Sequence, residues 1–190
     1  MKRIGVLALQ GAFIEHISML QGLGAESLAV RTTAELTGLD GLVIPGGEST
    51  TMRHLLSVHD LQKRVADLIA GGLPIMGTCA GMILLAKKLS GAEQNSLASM
   101  DIDVRRNAFG RQVDSFEVDL DVPALGKDPF HAIFIRAPRI EETGPDVQAL
   151  ARLPGGTVVA ARQKNLLVAA FHPELTRDKR FHKYFLDMIC

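Results

Sequence analysis

Nine residues in the first half of the chain, Pro74-Ile75-Met76-Gly77-Thr78-Cys79-Ala80-Gly81-Met82, leave few folds open. A short apolar run opened by proline stops abruptly in Gly-x-Cys-x-Gly, and the helix-forming residues Met82, Ile83, Leu84, Leu85 and Ala86 follow at once. The pattern predicts a strand, a sharp turn and a helix, with Cys79 at the turn. Its spacing matches the Gly-x-Ser-x-Gly nucleophile elbow, whose glycines let a strained turn pass close to neighbouring backbone. A thiol there meets the unpaired N–H groups and positive dipole end of a helix, which favour an anion. A lowered thiol pKa and a usable thiolate are expected. The alternative is a buried, inert cysteine, since free Cys is among the most buried residue types. Partners elsewhere in the chain must decide.

The residues before the elbow alternate strand and helix signals. Ile4 to Leu9 is a continuous apolar run, as expected of a strand covered on both faces of a parallel sheet. After Gln10-Gly11, the residues Phe13, Ile17 and Leu20 recur at helical spacing, and Gly22 or Gly24 ends that helix. Ser27 to Val30 reads as a strand, Thr33 to Leu36 as a helical turn, and Gly41 to Ile44 as a third strand stopped by Pro45-Gly46-Gly47. The series predicts a three-layer, doubly wound α/β fold of flavodoxin-like type, with its site at the carboxyl ends of the strands. The glycines of Pro45-Gly46-Gly47-Glu48-Ser49-Thr50-Thr51 can turn backbone N–H groups toward a ligand, and Ser49 or Thr50 can cap the next helix. A plain strand-to-helix turn would use the same residues. No Gly-Lys-Ser/Thr follows, so this is not a phosphate-binding loop. Leu61, Val65, Leu68 and Ile69 form a helical stripe that ends at Gly71-Gly72.

After Lys87-Lys88 the pattern changes. Leu97 to Val104, Val113 to Leu120 and Ala132 to Ile135 read as strands without helices of ordinary length between them, an antiparallel extension of the parallel sheet. Val147 to Leu153, Thr157 to Arg162 and Leu166 to Phe171 predict two hairpins turning at Pro154-Gly155-Gly156 and near Lys164-Asn165. A closing helix carries Phe181, Tyr184, Phe185, Met188 and Ile189 on one face. No repeat, linker or low-complexity tract divides the 190 residues, so one domain spanning 1–190 is expected.

The last predicted strand runs directly into His172-Pro173-Glu174. Proline biases the residue before it toward extended backbone, where side chains two apart point the same way. Glu174 can then fix the His172 tautomer and leave the other ring nitrogen for a thiol, as nucleophilic acyl transfer requires. His16, His54, His59, His131 and His182 lack a comparable setting and stay unassigned. Three arginines in Arg105 to Gln112 make either a solvated turn or a carboxylate clamp, and Arg136 stands at another strand end. Basic and acidic residues balance at 21 each, so no net field points to nucleic acid or an anionic membrane. No apolar stretch is long enough to span a bilayer. The six-residue run after Met1-Lys2-Arg3 is too short for a signal sequence, and two cysteines make no disulfide framework, so a cytoplasmic location is expected.

Gly77-Thr78-Cys79-Ala80-Gly81 with His172-Pro173-Glu174 resembles the class I (triad) glutamine amidotransferases. LALQGA at 7–12, PGGEST at 45–50, RRNAFGRQ at 105–112, FIRAP at 134–138 and HPELT at 172–176 extend the likeness along the chain. Ile83 stands where many class members carry Gln. These segments look like the vitamin B6 branch of the class, the glutaminase subunits of pyridoxal 5′-phosphate synthases. GAEQNSLAS at 91–99 departs from that branch by lacking Pro and the usual Gly content, which bears on the shape of that loop.

The resemblance implies that Cys79 is the nucleophile of a glutamine amidohydrolase and that His172 and Glu174 complete its triad. It implies that Gly47, Glu48, Ser49, Arg106, Ile135 and Arg136 hold L-glutamine. Backbone N–H groups of Ala80 and of Gly46 or Gly47 suit an oxyanion hole. Gln10 would couple the hole to a barrel-shaped synthase subunit in a hetero-oligomeric complex that consumes the ammonia. No cofactor and no metal are called for. Three alternatives compete: a cysteine hydrolase of another acyl substrate, such as a dienelactone-hydrolase-like esterase; the glutaminase subunit of a different amidotransferase; and a non-catalytic α/β binding module with a vestigial triad. Esterase elbows sit in longer chains with the acid well before the histidine, whereas here it follows by two residues. Selective alkylation of Cys79 at neutral pH would separate the enzymes from the binding module.

Overall fold

Strands whose every residue is buried must lie inside a sheet covered on both sides, and three of the strands here meet that description. The computed structural model describes residues 1–90, 97–106 and 115–189. β1 (Arg3–Leu7), β2 (Glu26–Val30), β3 (Gly41–Ile44), β4 (Ile75–Thr78) and β12 (Leu166–Ala169) run parallel in the order β2-β1-β3-β4-β12. β3, β4 and β12 are buried throughout. Crossovers leave β1 in one direction through α1 (Phe13–Gln21) and β3 in the other through α2 (Ser49–Val58) and α3 (Leu61–Ala70), and connections of the usual right hand then cover both faces. The mostly parallel sheet with an antiparallel extension is thus as the sequence predicts.

The order reverses at β1, so the loops after β1 and β3 diverge around a crevice, where doubly wound folds place ligands. The Ala12 N–H donates to the Gly46 carbonyl across it at 3.3 Å. Register then fixes what else arrives at this edge. Gly77 pairs with both Ile44 and Val168, so β3, β4 and β12 finish level. Pro45-Gly46-Gly47, Cys79 and His172 all come off those three ends.

Phe171, the residue before His172, anchors the last of them. Its ring lies 5.6 Å from Phe130, 5.7 Å from Phe134 and 5.4 Å from Phe181 between centroids, and all four side chains are fully buried. Truncating such a residue to alanine costs about 3–5 kcal/mol. The histidine is therefore mounted on one of the most firmly packed positions in the fold.

Several elements differ from the sequence reading. The crossover from β3 to β4 holds two helices rather than one stripe, broken at Asp60 in a left-handed conformation (φ 55°). α4 (Ala80–Leu85) is only six residues long, and Ala86 already begins β5 (Ala86–Leu89), paired parallel to β6 (Met100–Arg105). Sheet pairing overrides the helical preference of that segment. β7 (Ser115–Leu120) and β8 (Phe130–Ile135) pair with each other in a separate two-stranded sheet and do not extend the main one. The antiparallel extension is instead β11 (Val158–Gln163), β10 (Gln148–Arg152), β6 and the unforeseen β9 (Arg139–Thr143). β9 hid behind its charges: Arg139 and Glu141 pair at 2.7 Å while Ile140 between them is buried. On α1 the buried face is His16, Met19 and Leu20, and on α5 (Arg180–Asp187) it is Phe181, His182, Phe185 and Leu186. Both helices turn a histidine inward where a purely apolar stripe was expected.

Candidate active site

Cys79 joins β4 to α4 with φ 47° and ψ −103°. A non-glycine residue adopts such backbone at a cost of about 1–3 kcal/mol, paid by the surroundings. Here its N–H donates to the Ala169 carbonyl at 2.8 Å, and its carbonyl accepts from the Ile83 N–H at 3.2 Å. The elbow glycines are there for close approach. A Cβ on Gly77 would come within 2.8 Å of the Gly81 carbonyl carbon, and one on Gly81 would collide with the Ile44 carbonyl. A Cβ on Gly46 would collide with the His172 ring. The strained turn of the sequence reading is present, and the cysteine at it is nearly buried.

His172 donates its backbone N–H to the Ile133 carbonyl of β8 at 2.8 Å, which ties the small sheet to the end of β12. The backbone of His172 does not take the extended conformation that the proline was expected to favour (φ −106°, ψ 85°). Pro173 starts a 3₁₀ turn over Pro173–Leu175, a position its fixed φ suits. Glu174 reaches the ring from inside that turn, with Oε1 2.7 Å from Nδ1. With Nδ1 taken, Nε2 is the nitrogen left for the thiol. Burial works against a charged His172, but the hydrogen bonds it makes to Cys79 and Glu174, with their charges, win and raise its pKa to about 10. The ring thus holds its proton at neutral pH.

In front of these groups opens a cavity of about 300 Å³. Gln10, Gly47, Glu48, Ser49, Cys79, Arg106, Ile135, Arg136 and His172 line it, together with Ile83. Every residue the sequence reading assigned to substrate therefore lines one space. Ile83 was noticed there only for its identity. Glu174 lies behind His172, and Ala80 is buried at the start of α4. Arg136, closing β8, has φ 41°, a second strained non-glycine residue at the cavity wall. Residues 91–96 of the divergent loop, 107–114 of the arginine-rich turn and Cys190 lie outside the described residues.

Glu48 differs from its expected setting. It, and not Ser49 or Thr50, caps α2, accepting from the Thr50 N–H at 3.0 Å and the Thr51 N–H at 2.7 Å. A carboxylate does this better than a hydroxyl because it also answers the positive end of the helix. Its Oε1 also pairs with Arg106 Nη2 at 3.3 Å, and its backbone N–H donates to Gln10 Oε1 at 2.7 Å. Gln10 and Arg106 are thereby both fastened to the glycine-rich loop.

Two buried histidines went unassigned. His16 places Nδ1 2.9 Å from His182 Nε2, and its Nε2 lies 3.1 Å from Thr78 Oγ1 and 3.3 Å from Glu174 Oε2. The available signal was positional: His16 falls three residues after Phe13 and four before Leu20, and His182 three before Phe185, on core-facing stripes.

Known proteins match this chain over nearly all of its length. The family model of the SNO glutamine amidotransferase family matches residues 6–190. The pyridoxal 5′-phosphate synthase subunit PdxT of Dehalococcoides mccartyi is 60% identical over 188 residues, covering 98% of this chain and 96% of that one. The subunit of the same name from Moorella thermoacetica is 57% identical over 187 residues, covering 98% and 99%. A crystal structure of a glutamine amidotransferase superposes with a TM-score of 0.92 at 47% identity, covering 98% of both chains. PurLQS from Thermotoga maritima, at 17% identity and a TM-score of 0.75, shares the fold.

The Glu48 cap gives the stability a defined pH dependence. Hydrogen bonds from Thr50 first, then Thr51, lower its pKa from 4.5 to about 2. A carboxylate depressed on folding stabilises the fold above its unfolded pKa and loses that contribution as pH falls through the folded one. Its side chain is 50% exposed, so the contribution is discounted to less than about 1 kcal/mol. Urea denaturation should find Glu48→Gln less stable than the parent at pH 7, with the gap shrinking as pH falls from 4.5 toward 2. A gap that stays constant would mean the charge of Glu48 does not matter to the cap.

Proposed function

The chain belongs to the SNO glutamine amidotransferase family, and from that premise we propose that Cys79, His172 and Glu174 hydrolyse glutamine through a thioester. The enzyme is a glutaminase, the subunit of a pyridoxal 5′-phosphate synthase that turns L-glutamine into L-glutamate and supplies the ammonia for vitamin B6 synthesis. The observation that carries the triad is the His172 ring, which shares the wall of one cavity with Cys79 and is held from behind by Glu174 Oε1, 2.7 Å from its Nδ1.

Each step has a group to perform it. The Cys79 sulfur attacks the side-chain amide carbon, and the carbonyl π electrons move onto oxygen. Backbone N–H groups of Ala80 and of Gly46 or Gly47 receive that oxyanion; losing one such donor typically costs about 10²–10³ in kcat. The intermediate collapses, the C–N bond breaks, and the His172 proton goes to the departing nitrogen, giving ammonia and a γ-glutamyl thioester. Neutral His172 then takes a proton from water as its oxygen attacks the thioester, and glutamate leaves with the sulfur restored. Glu174 holds the tautomer and steadies the imidazolium throughout. Arg106 or Arg136 grips the α-carboxylate, with Gly47, Glu48, Ser49 and Ile135 shaping the rest of the pocket. The Arg106–Glu48 pair is half-exposed at 3.3 Å and weak enough to be shared with a substrate.

Cys79→Ala should leave the fold intact and abolish glutamate formation, because among the described residues no other thiol lines the cavity. A purified Cys79→Ala chain that releases glutamate at the parent rate would exclude the covalent route.

Ammonia set free in water is mostly protonated and lost as a nucleophile, so the supplier gains by working only when docked to its consumer. We place the docking of the barrel-shaped synthase subunit at the loops after β1 and β3. There the Gly46 carbonyl is held by the Ala12 N–H, and a trans peptide points its N–H the other way. A partner that binds one state of the Gly46–Gly47 peptide better than the other would set the oxyanion hole. Gln10 is the handle, through its bond to the Glu48 N–H. Glutaminase activity should be low for the chain alone and rise on adding the synthase subunit, and Gln10→Ala should lose most of that rise. An isolated chain as fast as the complex would rule the loop switch out and leave the triad standing.

A further inference from the structure

His16 and His182 have no exposed surface and do not line the cavity, yet they meet the triad from behind. His16 Nε2 faces Thr78 Oγ1 and Glu174 Oε2; Thr78 is the residue before Cys79, and the other oxygen of Glu174 holds His172. Glu174 Oε2 makes no well-formed hydrogen bond among the described residues, so His16 Nε2, 3.3 Å away, is the polar atom it confronts.

The proton positions follow from elimination. Burial, then the nearby His182 and His172, lowers the pKa of His16 well below its ordinary value, and burial lowers that of His182 to about 4. Both rings are neutral, and each carries a single N–H. If His16 carried its hydrogen on Nδ1, its bare Nε2 would face a bare carboxylate oxygen at 3.3 Å. His182 Nε2 would then accept, and its own hydrogen would sit on Nδ1, a buried atom with no partner among the described residues. That arrangement strands a donor and sets two lone pairs against each other. In the opposite one, the His182 Nε2–H donates to His16 Nδ1, and the His16 Nε2–H is shared by Thr78 Oγ1 and Glu174 Oε2. Only an acceptor, His182 Nδ1, is left unpaired.

We infer that His16 is a positioning residue for the reaction: its Nε2–H, fixed by the hydrogen bond that the His182 Nε2–H donates to its Nδ1, holds the second oxygen of Glu174 and so keeps the first aimed at His172. The inference rests on the glutaminase reading and adds two members to the chain of contacts behind the nucleophile. At 3.3 Å the His16 contact is long for an N–H···O bond, as expected of one hydrogen shared between two acceptors. Partners that orient a metal's ligands from behind carry about 10–100-fold in activity, and the same scale is expected of a group that orients Glu174.

The test is steady-state glutamine hydrolysis by the chain in complex with the synthase subunit. His16→Leu should lower kcat about 10–100-fold with KM for glutamine unchanged, since His16 does not touch the cavity. His16→Gln, which keeps an N–H near the Nε2 position, should recover most of the loss. A folded His16→Leu with kcat within twofold of the parent overturns the proposal, as does a loss confined to KM or one that His16→Gln shares in full. Should His16→Leu fail to fold, histidine ¹⁵N NMR of the parent chain decides: Nε2–H tautomers at both His16 and His182 support it, and an Nδ1–H tautomer at either overturns it. The two readings stay separable. Glutamate release by Cys79→Ala would sink the nucleophile, whereas a dead Cys79→Ala beside a fully active His16→Leu sinks only the role of His16.

Discussion

Everything chemical in this molecule hangs from the ladder that joins β3, β4 and β12. Because Gly77 pairs with Ile44 on one side and Val168 on the other, three chain segments leave the sheet at one level. A shift of one residue in either pairing would turn every side chain of that strand to the opposite face. The strands are buried on both faces and paired on both edges, so the register is among the most tightly specified features of the fold. The glycines at the strand ends then let neighbours approach closely: Gly46 against the His172 ring, Gly81 against the Ile44 carbonyl. The site is set by the sheet, and its loops are short because they have little distance to cover.

The sequence made some of this legible and concealed the rest for physical reasons. Buried parallel strands announce themselves as unbroken apolar runs, and the elbow and His172-Pro173-Glu174 are local patterns whose geometry the backbone dictates. That is why Cys79, His172 and Glu174 stood out as local patterns, whereas Gln10, Gly47, Glu48, Ser49, Arg106, Ile135 and Arg136 were named through the family resemblance, and Ile83 was not placed in the cavity at all. What stayed hidden depends on long-range packing. β5 is a strand because β6 lies beside it, not because Ala86-Lys87-Lys88-Leu89 prefers one. The Glu48 cap needed the loop geometry. His16 and His182 are 166 positions apart, and nothing local says that two helices turn them toward each other.

Stability is spent where the chemistry needs it. Cys79 and Arg136 each hold strained backbone worth about 1–3 kcal/mol, and a fully buried carboxylate and three imidazoles sit where apolar groups would pack more cheaply. Against this stand the aromatic cluster around Phe171 and the apolar strands. With His16 holding the second oxygen of Glu174, as we infer, the carboxylate does not swing toward solvent, and the proposed triad needs little reorganisation at the moment of reaction. In the proposed switch, control rests in the Gly46–Gly47 peptide, with Gln10 fastened beside it through the Glu48 N–H. Among the described residues no helix is long and apolar enough to cross a membrane.

The central claim is that a glutamyl group passes through the Cys79 sulfur, and intermediate trapping tests it most directly. The chain in complex with the synthase subunit would be mixed with glutamine, quenched in acid during turnover, digested and mapped by mass spectrometry. The account predicts a γ-glutamyl adduct on the peptide containing Cys79, formed at least as fast as glutamate appears and removed when glutamine is exhausted. Glutamate released at the full rate with Cys79 unmodified, or with the adduct on another residue, would contradict it.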